Sequence, residues 1–231
     1  MFKKILLTTS CLCLAINAIT VVAENEIKTD KQKLSYALGM YFSQSIMQQK
    51  DELDKDAFIQ AIDDVFTDTK PKLTQEEIQT VLSNYQQMLA NKLDAVANEN
   101  KLKGEKFLED NKKKDGIVVL DSGLQYKVIK EGDGEKPGKD SSVKVHYHGT
   151  LINGEVFDSS YDRGEPVTLF LNQVIKGWQE AVSMMKVGSK WQIYVPSELA
   201  YGSRGAGGGA IGPNETLIFD IELLAVNSHN N

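Results

Sequence analysis

His146 and His148 stand two residues apart in VKVHYHGT, close enough to offer two imidazoles to one metal ion. Neither a third histidine nor a cysteine is nearby, and a strand explains the pair by itself. Val143, Val145 and Tyr147 fall on one face, and Lys144, His146 and His148 on the other, exposed face. No metal site is expected. GSRGAGGGAIGP, residues 202–213, has the glycines of a phosphate loop. It lacks a Lys-Ser or Lys-Thr ending, and Pro213 stands where a helix should start. It reads as a long flexible flap. Asp158 and Asp162, four apart, suggest paired carboxylates for acid–base work. Arg163, Ser159 and Ser160 beside them favour a hydrogen-bonded loop. No serine occupies a nucleophile elbow. Five aromatics remain, Tyr147, Phe157, Trp178, Tyr201 and Phe219, at strand ends and in loops. Their default place is a core. That reading strains for Trp178, which follows Gly177 at the start of a helix, and for Tyr201, which precedes the flap. Both positions can line the mouth of a concave site.

The elements that would carry these residues differ between the two halves of the chain. Of 18 glycines, only Gly39 and Gly104 precede Gly116, and four of five prolines lie beyond it. The first half is therefore helical and the second is strand and turn. Thr29 with Gln32, and Thr74 with Glu77, form capping boxes at the heads of two helices. A helix between them opens near Asp54. Leu34, Ala37, Leu38, Tyr41 and Ile46 recur at helical spacing, as do Phe58, Ile62, Val65 and Phe66. Ile78, Leu82, Tyr85, Leu89, Leu93 and Val96 continue the pattern on a third, unusually long helix that no proline interrupts up to about Lys114. In the second half Leu124, Tyr126 and Val128 alternate with polar neighbours. So do Trp191, Ile193 and Val195, and Phe219, Ile221 and Leu223. Only the stretch from Val174 to Met185 is helical there. The expected fold class is α+β: an antiparallel sheet with one short covering helix, preceded by an all-α region. The helical stripes are too long to be covered by one copy. A homodimer is the favoured solution, against a monomeric helical cap folded onto the second half.

The chain has 231 residues, 41% of them hydrophobic, enough for one large domain or two small ones. Residues 1–23 read as a cleaved signal peptide. Lys3 and Lys4 precede an apolar run, and Val21-Val22-Ala23 stands before Glu24. A membrane anchor would need about 20 unbroken apolar residues. Thr8, Thr9, Ser10, Asn17 and Thr20 dilute this run. Cys11 and Cys13 both lie inside the segment, so cleavage removes every thiol. Thr8-Thr9-Ser10 makes a poor lead-in for a lipidated Cys11. Loss of Lys3 and Lys4 takes the formal charge from −6 to −8. An acidic chain without a basic stripe argues against nucleic acid as a partner. The expected organisation is residues 24–72 as a helical dimerisation domain, 73–115 as a long connecting helix and 116–231 as the sheet domain. The expected location is outside the cytoplasm.

Four separated motifs carry a resemblance. VHYHGTLINGEVFDSSYDRGEPV, VIKGWQEAV, AYG and IGPNETLIFDIELL stand in the order found in FK506-binding-protein-type peptidyl-prolyl isomerases. LSYALGMYF, the long helix and LDSGLQYKVIKEG resemble the macrophage infectivity potentiator subgroup of bacterial periplasmic and outer-membrane isomerases. The resemblance implies a twisted sheet wrapped around one short helix, and isomerisation of X–Pro bonds without a cofactor. It implies a proline pocket of Tyr147, Phe157, Asp158, Val174, Ile175, Trp178, Tyr201, Ile211 and Phe219, with Trp178 as its floor. It gives Arg163 the task of holding Asp158 and Tyr147. It gives the Ile175 N–H and the Tyr201 hydroxyl the task of binding carbonyls. It also implies proline-containing exported polypeptides as substrates and binding of FK506- or rapamycin-type macrocycles. The chain departs from single-domain members before Val174, at Val167 and in the flap, which holds no histidine. The other reading is a dimeric periplasmic holdase, or a surface virulence-associated binding protein, with isomerisation secondary.

Overall fold

The computed structural model describes residues 26–46 and 50–227. The expected signal segment and both cysteines lie outside them. The chain forms two units, residues 1–73 and 74–231.

The first unit holds two helices, α1 (Asp30–Ser45) and α2 (Lys55–Phe66). Thr29 and Gln32 form the capping box of α1, and the Asp54 carboxylate caps α2 by accepting from the Ala57 N–H at 2.8 Å. Each satisfies backbone donors that a helix start leaves open. Phe42 of α1 stacks on Phe58 of α2 with ring centroids 6.2 Å apart. No residue of α1 is buried, and the only buried residue of α2 is Asp64.

The second unit opens with α3 (Gln75–Asn111), headed by the capping box of Thr74 and Glu77. At 1.5 Å per residue its 37 residues span about 55 Å. Seven strands follow: β1 (Val118–Val119), β2 (Gln125–Lys130), β3 (Ser142–Leu151), β4 (Val156–Ser159), β5 (Val167–Phe170), β6 (Lys190–Val195) and β7 (Leu217–Asn227). All pair antiparallel in the order β1-β2-β6-β7-β3-β4, and β5 pairs with the first half of β3. A single helix, α4 (Lys176–Met184), precedes β6. Its Trp178, Ala181 and Val182, with Met185 just beyond, join Val143, Val145, Ile193, Val195, Leu217, Ile221 and Leu223 in one buried core. The alternation of apolar residues along β3, β6 and β7 puts one face of the sheet on α4.

Gly177 owes its place to this packing. A Cβ there would lie 2.5 Å from Val195 Cγ1, inside any tolerable contact. Glycine lets the first turn of α4 press onto β6, and the next residue, Trp178, is thereby fixed against the sheet. The C-terminal end of α3 packs on the sheet. The buried Asn111 donates to Gln125 Oε1 at 3.0 Å, and Gln125 Nε2 donates to the Leu108 carbonyl at 2.9 Å. Phe107 lies 6.0 Å from Tyr194, ring to ring.

Candidate active site

The first turn of α4, the ends of β3, β4 and β7, and the loop after residue 200 enclose a groove of about 380 Å³. Trp178 is its floor and is only 4% exposed. The Tyr147 ring meets the indole edge-on at 5.3 Å and 85°, and the Phe219 ring does so at 5.3 Å and 86°. Phe157 meets Phe219 at 5.4 Å and 83°. Four rings set at right angles to their neighbours form a rigid apolar box, the arrangement that aromatic quadrupoles prefer. Gly149, paired with Phe219 across β3 and β7, makes it possible. A Cβ on Gly149 would sit 2.7 Å from Phe157 and 3.0 Å from Phe219.

One wall is polar. Asp158 accepts from the Tyr147 hydroxyl and from Arg163, and Arg163 also donates to the Tyr147 oxygen at 2.9 Å. The guanidinium lies 5.7 Å from the centre of the Tyr147 ring. Burial pushes the Asp158 carboxyl up, but the Tyr147 hydroxyl and the Arg163 cation outweigh it, and the carboxyl titrates below its ordinary value. Burial, reinforced by the Asp158 acceptor, raises Tyr147. Burial and the Asp158 charge raise Tyr201. At neutral pH the wall therefore holds a carboxylate, a guanidinium and two protonated phenols. None is poised to exchange a proton near pH 7.

Nine of the ten residues singled out from the sequence line the groove: Tyr147, Phe157, Asp158, Val174, Ile175, Trp178, Tyr201, Ile211 and Phe219. The tenth, Arg163, stands behind Asp158 and Tyr147. The Ile175 carbonyl accepts from Trp178 N at 3.0 Å and Gln179 N at 3.1 Å. Its N–H precedes the helical ladder of α4, where donors have no intrahelical partner. The Val174 carbonyl accepts from Gln179 Nε2 at 2.7 Å, which fixes the chain on entry to α4. Leu169, Gln173, Ala206, Gly207 and Ala210 also line the groove and were not anticipated. Leu169 shares a face of β5 with Val167, two residues before it, but the apolar Phe170 beside it hides the alternation. The flap residues carried no such signal.

Two expectations differ in detail. The flap has internal order: Ala206 and Ile211 exchange backbone hydrogen bonds at 2.9 and 3.1 Å, and short 3₁₀ turns span Gly202–Arg204 and Gly207–Gly209. His146 and His148 are half-buried rather than exposed. His146 Nδ1 shares a hydrogen bond with Ser160 Oγ at 2.9 Å, and its ring stacks on Tyr161 at 4.5 Å. The chain after β4 folds back across this face, which alternation along β3 could not show.

Two family models match the chain. One, described as FKBP-type peptidyl-prolyl cis-trans isomerase, matches residues 133–224. The other, described as the domain amino terminal to such isomerases, matches residues 31–128. The outer membrane protein MIP of Legionella longbeachae is 45% identical over 229 residues, covering 97% of this chain and 98% of that protein. The peptidyl-prolyl cis-trans isomerase Mip of Coxiella burnetii is 42% identical over 90% of this chain and 91% of its own length. The crystal structure of FkpA from Escherichia coli superposes with a TM-score of 0.63 at 39% identity, covering 87% of this chain and 99% of that one.

Proposed function

The chain belongs to the FKBP-type peptidyl-prolyl cis-trans isomerase family, and we propose that the groove floored by Trp178 is where it turns X–Pro bonds. The enzyme assists protein folding by this reaction. The observation that carries the site is the box of four orthogonal rings beside an ion-paired carboxylate. Rotation about a prolyl amide faces a barrier of roughly 18–20 kcal/mol. It takes tens to hundreds of seconds unaided. No bond to the backbone is broken and no proton need move. A planar amide is polar, with negative oxygen and positive nitrogen, and twisting removes that resonance. An apolar box therefore disfavours the planar form relative to the twisted one. A rate gain of about 10⁵-fold corresponds to about 7 kcal/mol of such differential binding.

In this reading the proline ring lies on the indole between Phe157 and Phe219. The Ile175 N–H and the Tyr201 hydroxyl hold the flanking carbonyls. Asp158, fixed by Arg163, orients Tyr147 and faces the carbonyl as it turns. The test is isomerisation of a proline tetrapeptide by the full chain and by Trp178→Leu. Leucine keeps much apolar burial but removes the flat floor. The variant should fold, lose most binding of an FK506-type macrocycle and lose a smaller part of its rate. A folded variant with undiminished binding and rate would overturn the assignment.

Residues 24–72 act as the dimerisation part, 73–115 as the connecting helix and 116–231 as the catalytic part. Dimer contact through α1 and α2 is supported by their uncovered apolar side chains and by the match to the domain amino terminal to such isomerases. The substrates are proline-containing exported chains. Location in the periplasm or at the outer membrane is supported by the basic and apolar first 23 residues and by the name of the Legionella longbeachae relative.

A further inference from the structure

The flap between Gly202 and Gly212 supplies Ala206, Gly207, Ala210 and Ile211 to the groove, yet none of these belongs to a sheet strand. Its internal bonds close the loop on itself. Ala206 pairs with Ile211, and the Gly202 carbonyl accepts from Asn214 N at 2.8 Å. Such bonds fix the shape of the loop. They do not fix the angle at which it stands over Trp178. Ile211, 6% exposed, and Ala206 pack on the core that holds Trp178, and the base, residues 212–216, is where the loop is anchored before the chain enters β7.

At the base the loop meets α3. Asn100 Nδ2 donates to the Pro213 carbonyl at 2.9 Å. In the opposite direction Asn214 Nδ2 donates to the Ala97 carbonyl at 3.2 Å. A carbonyl inside a helix retains a second lone pair for such a donor. Asn214 adopts a left-handed backbone, φ 55°, which asparagine tolerates better than most residues. One turn further along α3, Gly104 sits so close to Thr216 that a Cβ would lie 2.3 Å from its Oγ1. Ala97, Asn100 and Gly104 follow at steps of three and four, so one stripe of the helix holds the base.

We propose that α3 positions the flap, with Asn100 and Asn214 as a reciprocal clamp that sets the substrate affinity of the groove from outside it. The proposal rests on the reading of the groove as the proline site. Both asparagines are positioning residues: neither lines the groove. Loosening the clamp lowers the fraction of molecules whose flap is in place. Apparent affinity then falls by that fraction. Trp178 and Asp158 stand on α4 and β4, so the turnover of bound substrate stays as it was.

The experiment measures kcat and KM of the full-length protein for a proline tetrapeptide, with amide hydrogen exchange on the same samples. Asn100→Asp keeps the shape and removes the donor. Asn214→Gly keeps the left-handed backbone and removes the side chain. Each should raise KM roughly three- to tenfold, the range of one lost hydrogen bond, with kcat within about twofold. Exchange at the N–H of residue 214, bonded to the Gly202 carbonyl at the base, should quicken in step. Asn111→Ala, at the far end of the same helix stripe, serves as the structural control. It should lower the thermal midpoint without moving KM. If Asn100→Asp does not fold, Asn214→Gly decides alone. Folded clamp variants with unchanged KM overturn the proposal, and so does an equal rise in KM in Asn111→Ala. If Trp178→Leu leaves binding and rate intact as well, the groove assignment is what failed, and the clamp falls with it.

Discussion

Among the described residues Asp158 is the only carboxylate lining the groove, and its partners decide what it can do. Held by Tyr147 and Arg163, it titrates below the ordinary carboxylate range near 3.9. A lowered folded-state value means that its contribution is fully present above pH 4. That contribution is lost only as pH falls through the folded value. The phenols are raised, so they keep their protons past pH 10. The isomerase rate should therefore be flat from about pH 5 to 9. A rate that titrates with one carboxylate-like step inside that window would point to a general base. Asp158→Asn keeps the shape and drops the charge. It should slow the reaction about three- to tenfold, the scale of one charge-assisted hydrogen bond, with the same flat profile. Gly149→Ala probes the aromatic box from below. The added methyl must displace Phe157 or Phe219, so peptide affinity should fall more steeply than thermal stability. Calorimetry and peptide titration on one sample read both. Equal losses would mean that the rings serve the core rather than the groove.

Among the elements, α4 depends most on a single close approach. Its first turn reaches β6 only because residue 177 lacks a side chain, and Val195 on the other side is fully buried. Gly177→Ala should raise intrinsic helix propensity by up to about 1 kcal/mol. Overpacking against Val195 should cost about 1–3 kcal/mol, so the net change should be destabilising. Val195→Ala alone should also destabilise, by leaving a cavity. The double variant should be more stable than the sum of the two changes implies, because each relieves the other. Denaturant unfolding of the four proteins measures the coupling. Additive changes would show that the contact does not limit the helix. The same series should shift macrocycle binding, since Trp178 is carried by the turn that moves.

At the scale of the whole molecule, the two units bury apolar surface to very different degrees. The buried apolar core begins at Leu124, among the described residues. In the first unit Tyr41 is 78% exposed, Val65 76% and Phe66 86%. Isolated exposed apolar residues are ordinary, but this many on two short helices are what the proposed dimer would cover. Sedimentation of the full chain should give a dimer. A fragment from Thr74 onward should be a monomer that still turns over short peptides, because it keeps the groove and the part of α3 packed on the sheet. On unfolded protein chains it should be slower per site, since two linked sites raise the local concentration at the second contact. A monomeric full chain would remove the dimer, and equal refolding rates per site would remove the benefit of linkage.

Read alone, the sequence was enough for the features that depend on neighbours a few residues apart. The capping pairs Thr29–Gln32 and Thr74–Glu77 and the cap at Asp54 are short-range hydrogen bonds, and each helix starts where they stand. Alternation along β3, β6 and β7 is a property of the strand itself, so the α+β class and the inward set followed from it. The family motifs then named residues that do meet around one groove. The tertiary structure decided what depends on partners far along the chain. Gly177 is explained by Val195, Gly149 by Phe157 and Phe219, and His146 by Ser160. The flap is held by Asn100, which is 113 residues from Pro213. None of these contacts leaves a periodic trace, because the distance between the partners is set by the fold and not by their separation in sequence. For that reason Trp178 could be read as a floor before the glycine beneath it could be read at all.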